Sequence, residues 1–378
     1  MSEYQYVHFI ALDGPLNQKQ LDYMATQSSR AAITKWQFTN EYNFGDFRGD
    51  AFEMLRRGYD VHLHYANYGI RRLLFRLPAG LPWDQETWKR YLPEDGMTWH
   101  ADKQGRGGIL ELDPGQDAGT FDSYFMDLEE TLEEIAPIRD LLLTGDLRPL
   151  YVMWLAITSI NYDEEAIEPP LPAGLDPLPD CLLDLAAFYE LDTDLLTAAS
   201  AGSPPLPKTA KEGSNVAAWL DRQSKEDLKR LTQRLLEENP ASARAETLTL
   251  IRKESSAETW PTVELNRTFE ELRSSASEKE SRRVKQEADT KQKARRAKLK
   301  KLAADPEAVL AQIEKLVNER KRPSYSEAAQ MLIDLGEALG PDGPERMQAE
   351  ATRLSKAYPT LMAFKQELRQ HGFLKKKR

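Results

Sequence analysis

The sequence has little cysteine: Cys181 is the only one among 378 residues. An intrachain disulfide and a cysteine-rich zinc site are therefore excluded. No apolar run approaches the roughly 18 residues that a membrane-spanning helix needs. The first residues also lack a basic stretch followed by an apolar one, so no secretory signal is visible. We therefore expect a cytoplasmic protein without a membrane partner.

Motifs of the common enzyme classes are missing as well. The glycine-rich run at 104–108 lacks the Gly-Lys-Ser/Thr ending of a phosphate-binding loop, and its composition is typical of a hairpin turn. No Gly-x-Ser-x-Gly nucleophile elbow occurs. We therefore expect no cofactor, and we favour a protein without enzymatic activity.

Charge is plentiful but unevenly distributed along the chain. The formal net charge is −10. Residues 101–200 carry 22 acidic and 4 basic side chains, whereas residues 201–378 carry 27 acidic and 36 basic ones. These acidic and basic blocks either lie in solvent or contact each other or partners of opposite charge.

The pattern of apolar residues predicts two kinds of structure. Residues 59–65 alternate strictly between apolar and polar side chains, which predicts a half-buried strand. After Pro114, large apolar residues recur at helical spacing. We predict an α+β fold, with an N-terminal mixed antiparallel α+β module followed by a mainly α-helical middle and a C-terminal bundle.

Changes in composition suggest six segments. A proline-, glycine- and serine-rich stretch is typical of a linker, and a stretch with almost no large apolar side chain cannot bury a face. The predicted segments are an α+β module at 1–115, an acidic helical region packed on it at 116–197, a linker at 198–215, a helical segment at 216–272, a basic segment that is a solvated helix or disordered at 273–303, and a small helical bundle at 304–374.

One face of the alternating strand carries the best candidates for chemistry. Asp60, His62 and His64 occupy alternate positions, about 6.5–7 Å apart. Two imidazoles at this spacing could share a metal ion if Glu41 or His100 supplied a third ligand, or the same groups could serve in acid–base chemistry. The structural alternative is that both histidines simply form hydrogen bonds at a half-exposed sheet face.

The basic segment is the second candidate region. Between residues 279 and 301, basic side chains greatly outnumber acidic ones and no aromatic residue occurs. Such a segment could contact nucleic acid through phosphates but not by stacking on bases. The alternative is a helix or linker that only faces solvent. The candidate contacts are Arg282, Arg283, Lys285, Lys291, Lys293, Arg295, Arg296 and Lys298.

Two parts of the sequence resemble known bacterial families. The first consists of FTNEY at 38–42, GDF at 45–47, YDVH at 59–62 and ANYG at 66–69. It resembles an uncharacterised bacterial protein family. The second consists of DP at 305–306, YSEA at 325–328 and YPTL at 358–361. It resembles the helical tails of bacterial SWIM zinc-finger proteins. The zinc motif itself is absent, so the resemblance transfers no metal ligand and implies only a bacterial multi-component system.

These observations favour a non-enzymatic interaction or regulatory protein in a bacterial multi-component system, for instance one of stress or defence. Other proteins are the expected partners, and the oligomeric state stays open. One alternative is a metal-dependent or acid–base enzyme that uses Asp60, His62 and His64. The other is an accessory protein that binds nucleic acid through the basic segment.

Overall fold

The computed structural model describes residues 3–43, 45–79, 81, 85–103, 107–115, 128–206, 219–237, 247 and 260–375. The chain forms two compact units, unit 1 at Met1–Lys279 and unit 2 at Glu280–Arg378. Among the described helices, none combines the length and the apolar content needed to cross a bilayer.

A seven-stranded antiparallel sheet organises unit 1. Its strands are β1 (Gln5–Ile10), β2 (Ala32–Ile33), β3 (Gln37–Tyr42), β4 (Val61–Ala66), β5 (Ile70–Pro78), β6 (Met97–Ala101) and β7 (Gly107–Leu112). Their order across the sheet is β2-β3-β1-β4-β5-β7-β6. Every neighbouring pair in this order is antiparallel. Together with the helices that follow, the sheet confirms the predicted α+β class.

Local sequence signals explain several helix ends in unit 1. The carboxylate of Asp50 accepts a hydrogen bond from the Glu53 amide at 2.9 Å and caps α2 (Ala51–Arg57), which ends before Gly58. Pro137 separates α4 (Leu128–Ile135) from α5 (Ile138–Thr144). The described helices of unit 1 that precede the unit boundary are α1 (Gln18–Gln27), α2 (Ala51–Arg57), α3 (Gln85–Lys89), α4 (Leu128–Ile135), α5 (Ile138–Thr144), α6 (Arg148–Asn161), α7 (Asp180–Phe188), α8 (Thr193–Ala199) and α9 (Lys225–Glu237).

Helices cover both faces of the sheet. On one face, the apolar side chains of β4 and β5 pack with α4 to α8 in the larger core. In α6, 11 of 14 residues are buried, because this helix is apolar on nearly all sides. On the other face, α1 and α2 cover β1 and β3 in a smaller core that contains Phe9, Phe38 and Met54.

Two segments differ from the sequence-based prediction. Thr262–Val263 forms a short strand, β9, that pairs with β8 (Leu171–Pro172), so the helix predicted to begin at Thr262, within the helical segment 216–272, does not begin there. Pro261 cannot donate a helical hydrogen bond, and the β-branched side chains that follow favour an extended backbone. Residues 198–206, predicted to be linker, are a packed part of unit 1: Ala198 and Ala199 are buried at the end of α8, and the Gly174 amide donates to the Pro204 carbonyl at 2.8 Å. Residues 207–215 lie outside the described part of the chain.

Unit 2 is a bundle of helices. The helix α10 (Phe269–Ala304) contains the boundary between the two units, so the basic segment is helical. It is followed by α11 (Pro306–Asn318), α12 (Arg322–Ala338), α13 (Gly343–Ala357) and α14 (Met362–Gln370). Their common core contains Ile313, Val317, Leu332, Leu335, Leu354, Phe364 and Leu368.

A close approach of two backbones joins α12 to α13. A Cβ atom added at Gly343 would overlap the carbonyl oxygen of Gly336. Only glycine lets the start of α13 lie this close to α12.

Candidate functional sites

The strand register determines which candidates share a face of the sheet. His62 lies opposite Phe9 of β1 and Leu74 of β5, and His64 lies opposite Arg72 of β5. The same alternation brings His100, on β6, to this face through its pairing with Ile109. It is the face that also carries the smaller apolar core with Phe9, and we call it the polar face because the histidines lie on it.

Glu41 lies on the opposite side of the sheet. It pairs with Tyr6 of β1, whose neighbours in sequence point the other way. Burial of the Tyr4 phenol, followed by the charge of Glu41 and a hydrogen bond to it, raises the pKa of Tyr4 to about 12. The structure therefore does not bring Glu41 to the histidines.

Two hydrogen-bonded groups of three lie side by side on the polar face. In the first, the Gln5 amide donates to Asp46 Oδ1 at 2.7 Å and its Oε1 lies 3.0 Å from His64 Nε2. Because Gln5 Oε1 can only accept, His64 must carry its proton on Nε2.

In the second group, Arg72 Nε donates to Glu111 Oε1 at 2.6 Å, and His100 Nε2 lies 2.5 Å from Glu111 Oε2. The His100 side chain is 35% exposed, so this pair is reachable from solvent. Arg72 also lies 3.5 Å from a carboxylate oxygen of Asp113.

The imidazoles of His62 and His64 are neutral at pH 7. Phe9 stacks on His62 with ring centroids 3.8 Å apart. Burial, followed by the neighbouring His64, holds the pKa of His62 well below its ordinary value of 6.5. Burial, followed by the charge of Arg72, lowers the pKa of His64 to about 4.

The placement of His62 and His64 does not favour a metal ion shared between them. The ring centroids of His62 and His64 are 6.3 Å apart. His62 Nδ1 donates to the carbonyl oxygen of His8 at 3.0 Å, which leaves only its Nε2 for a ligand. Within the described ranges, no group of three or more histidine, cysteine, aspartate or glutamate side chains is placed to hold a metal ion.

Asp60 belongs to a separate buried ion cluster at the end of the sheet. Its Oδ2 accepts from the backbone amides of Leu12 and Asp13 at 2.7 and 3.0 Å, and its Oδ1 pairs with Arg76. Arg139 binds both oxygens of Asp13, at 2.9 and 2.6 Å. This arrangement ties α5 to the ends of β1 and β4.

The two carboxylates of this cluster respond differently to burial. Burial raises the pKa of Asp13 above its usual range, and the contact with Arg139 only partly opposes it. Burial also acts to raise the pKa of Asp60, but Arg139, Arg76 and two backbone N–H groups lower it overall. The cluster therefore holds α5 to the sheet through charged groups, and Asp13 is its more easily protonated carboxyl.

Sequence reasoning missed Gln5, Arg72, Glu111 and Arg139. Glu111 gave an available signal, because it interrupts the apolar run at 109–112. Gln5 begins its strand and Arg72 follows another arginine, so neither stands out within an apolar stretch. Arg139 gave no signal, because its partner Asp13 is 126 residues away in the chain.

On α10, the structure separates the basic candidates into two groups. Arg295 Nη1 lies 2.7 Å from Asp334 Oδ1, and Lys298 Nζ lies 2.5 Å from Asp334 Oδ2. Asp334 is buried in α12, and Arg295 also reaches Glu337 at 2.5 Å. Burial alone would raise the pKa of Asp334, but its bonds to Lys298, Gln330 and Arg295 lower it.

These ion pairs fix which side of α10 faces α12. At 3.6 residues per turn, the remaining basic side chains can be placed around the helix axis. Lys291 falls on the same half as Arg295 and Lys298. The opposite half, which we call the outer basic stripe, carries seven exposed basic side chains: Arg282, Arg283, Lys285, Lys293, Arg296, Lys300 and Lys301. Asp289 is the one acidic residue on that half, whereas Glu280 and Glu287 lie on the other. Glu287 Oε1 nevertheless lies 3.3 Å from Nη1 of Arg283, at the edge of the stripe.

Comparison with protein-family models, with curated proteins and with solved structures gave no match to this chain.

Proposed function

We propose that the protein is a non-enzymatic interaction or regulatory protein, and that the outer basic stripe is its contact surface. The observation that carries this proposal is the orientation of α10 by Asp334. Two basic side chains bind the buried carboxylate, so seven others point away from the bundle. Membership of a bacterial multi-component system, for instance one of stress or defence, is what the two sequence resemblances imply.

The composition of α10 supports a role for its surface. From 281 to 294, every residue is exposed, and this part of the helix buries no apolar side chain. Such a helix gains little from packing on its own chain. Its exposed charge instead provides a long-range attraction for a partner of opposite sign.

The net charges of the two units also support the outer basic stripe as the contact surface. Unit 1 carries 47 acidic and 28 basic side chains, whereas unit 2 carries 14 acidic and 23 basic ones. An anionic partner is therefore attracted to unit 2 and repelled by unit 1, which restricts binding to one end of the sequence.

The test compares two triple variants that change the charge equally. The first carries Lys285→Glu, Lys293→Glu and Lys300→Glu in the stripe. The matched control carries Lys315→Glu, Lys321→Glu and Lys356→Glu, which are exposed lysines elsewhere in unit 2. The intact proteins are passed over immobilised dextran sulfate in a salt gradient. We expect the stripe variant to elute at much lower salt than the control. Equal elution of both variants, or no retention of the wild type near 50 mM salt, would refute the proposal.

One observation favours the acid–base alternative. His100 and Glu111 form a solvent-accessible imidazole–carboxylate pair, which is the arrangement of a general base and its orienting group. Metal analysis of the purified protein tests the metal-dependent form of this alternative. Stoichiometric zinc, iron or manganese that disappears in a His62→Ala/His64→Ala variant would favour the enzyme over the interaction protein.

A further inference from the structure

The outer basic stripe lacks the features of a protein-binding surface. In 281–301, all of which the structure describes, the one large apolar side chain that is exposed is Val284, and it lies on the half of the helix that faces Asp334. Protein interfaces are centred on aromatic and apolar anchors and contain few lysines. A surface of lysine and arginine without any anchor instead suits a partner that offers regularly spaced negative charge.

The absence of aromatic residues narrows the class of partner further. Single-stranded nucleic acid is held by bases that stack on aromatic rings, and 273–301 contains no aromatic residue. A membrane-surface helix needs an apolar face opposite its basic one, and this part of α10 has none. The remaining regular polyanion is a double helix, whose phosphates are bound without base stacking.

The shape of the stripe matches a groove better than a flat surface. Its seven basic side chains are spread over an arc of about 160° around the helix, and from Arg282 to Lys301 the stripe is about 29 Å long. A single phosphate strand would meet only a narrow line along this arc. The major groove of B-form DNA is about 12 Å wide and admits an α-helix, so both walls present phosphates to the two edges of the stripe.

We propose that the outer basic stripe binds duplex DNA along the major groove through phosphate contacts, independently of sequence. This inference rests on the proposed function and names the partner class. Lys285 lies at one edge of the arc, Arg283 and Lys301 lie at the other, and Arg282 and Lys300 lie between them. Each edge faces one phosphate wall, and the central side chains fill the groove.

Charge elsewhere in the chain sets the strength of binding. The chain as a whole carries −10, so DNA is attracted only locally. Binding without base contacts commonly has a Kd of about 10⁻⁴ to 10⁻⁶ M at physiological salt. We expect a contact in this range that strengthens steeply as the salt concentration falls.

The experiment measures the anisotropy of a fluorescein-labelled 25-base-pair DNA duplex titrated with the full-length protein between 50 and 200 mM salt. With five to seven phosphates neutralised, the slope of log K against log salt should be about −4.5 to −6. The stripe variant with Lys285→Glu, Lys293→Glu and Lys300→Glu should bind at least tenfold more weakly, with a slope shallower by about 3. The control variant with Lys315→Glu, Lys321→Glu and Lys356→Glu should keep the wild-type slope. Circular dichroism establishes that both variants are folded.

The other results separate this inference from the function it rests on. If the wild type is retained on dextran sulfate through the stripe but does not bind the duplex at 50 mM salt, the DNA assignment is wrong and the interaction surface stands. If neither polymer binds, both fail. Tighter binding to single strands, to duplex RNA with its narrow major groove, or to phosphatidylserine vesicles would overturn the groove assignment. Equal loss of duplex binding in both variants would place the site outside the stripe.

Discussion

Unit 1 and unit 2 use their polar side chains in opposite ways. Unit 1 buries them: the Asp13–Asp60–Arg139 cluster and His62 are enclosed by the sheet and its helices. Unit 2 keeps nearly all of them at the surface, and its buried Asp334 serves to orient surface cations. Buried polar groups make stability sensitive to pH and to the loss of one partner, whereas surface charges mainly govern binding.

The chain contains a natural means of observing the two units separately. All seven tryptophans lie in unit 1, and unit 2 contains none. Tryptophan fluorescence therefore follows the unfolding of unit 1, whereas far-ultraviolet circular dichroism follows both units.

Lowering the pH is expected to have the largest effect on the stability of the protein. Burial lowers the pKa of His8 and of His64 to about 4, from 6.5 in the unfolded chain. The folded protein thus binds fewer protons than the unfolded one between these values. The free energy of unfolding of unit 1 should therefore be fully retained above pH 6.5 and should fall by about 3 kcal/mol per histidine as the pH is lowered to 4. Urea unfolding followed by tryptophan fluorescence at several pH values measures the loss.

Unit 2 provides the internal comparison for this experiment. The pKa of Asp334 is lowered from 3.8, so its contribution to stability begins to fall only below about pH 3.8. Between pH 6.5 and 4, the circular-dichroism transition of unit 2 should shift less than the fluorescence transition of unit 1. A constant unfolding free energy of unit 1 across this range would contradict the burial of neutral histidines.

The next largest effect is expected from Arg139→Met. The change leaves Asp13 and Asp60 buried with one fewer cation, and removal of one partner of a buried pair commonly costs about 3–5 kcal/mol. The control is Arg90→Met, which removes an exposed ion pair with Glu264 and should cost at most about 1 kcal/mol. Urea unfolding curves read by fluorescence compare the two variants. An equal loss of unfolding free energy in the two variants would show that the buried cluster does not stabilise unit 1 more than an exposed ion pair does.

A smaller effect, confined to unit 2, is expected from Gly343→Ala. The added methyl group overlaps the Gly336 carbonyl, so α13 must move away from α12 at a cost of about 1–3 kcal/mol. Circular dichroism should show an earlier transition for unit 2, and tryptophan fluorescence should remain unchanged. The matched variant Gly336→Ala places its methyl 3.3 Å from the nearest atom, in Met347, and should cost less.

The smallest effect is expected from Asp334→Asn. The amide keeps the shape of the side chain but loses the charge that holds Arg295 and Lys298, whose own side chains are 37% and 56% exposed. Although Asp334 is buried, the two cations stay in solvent when the charge is lost and the amide oxygen still accepts a hydrogen bond from them, so the cost in unit 2 should be about 1 kcal/mol. Thermal unfolding by circular dichroism measures it. A cost above that of Gly343→Ala would show that the ion pairs, and not the helix packing, dominate unit 2.

Local patterns predicted those parts of the fold that depend on neighbours in sequence. Strict alternation predicted the strand β4 and the shared face of His62 and His64, and the structure confirms both. The expected half-burial of this strand is wrong, because side chains on both of its faces are buried. The cap at Asp50 and the break at Pro137 were also predictable, because each acts within one turn of its helix. The solvated-helix alternative for the basic segment followed from its lack of apolar residues.

Features that depend on distant pairing could not be predicted in this way. The strand β9 has only two residues, so it shows no periodicity, and it forms because β8 lies beside it. The division of the basic residues into an inner pair and an outer stripe depends on Asp334, which lies on a later helix. Composition along α10 is visible in sequence, but the direction in which each side chain points is not.

The strand order also bears on synthesis of the chain. All seven strands lie within the first 112 residues, so the whole sheet is available once Leu112 has been made. One of its apolar faces, however, awaits α4 to α8, which end at Ala199. At about 5–20 residues per second, a ribosome needs roughly 5–20 seconds for that interval. During it, the nascent sheet exposes an uncovered apolar surface, which is the kind of surface that a ribosome-associated chaperone shields.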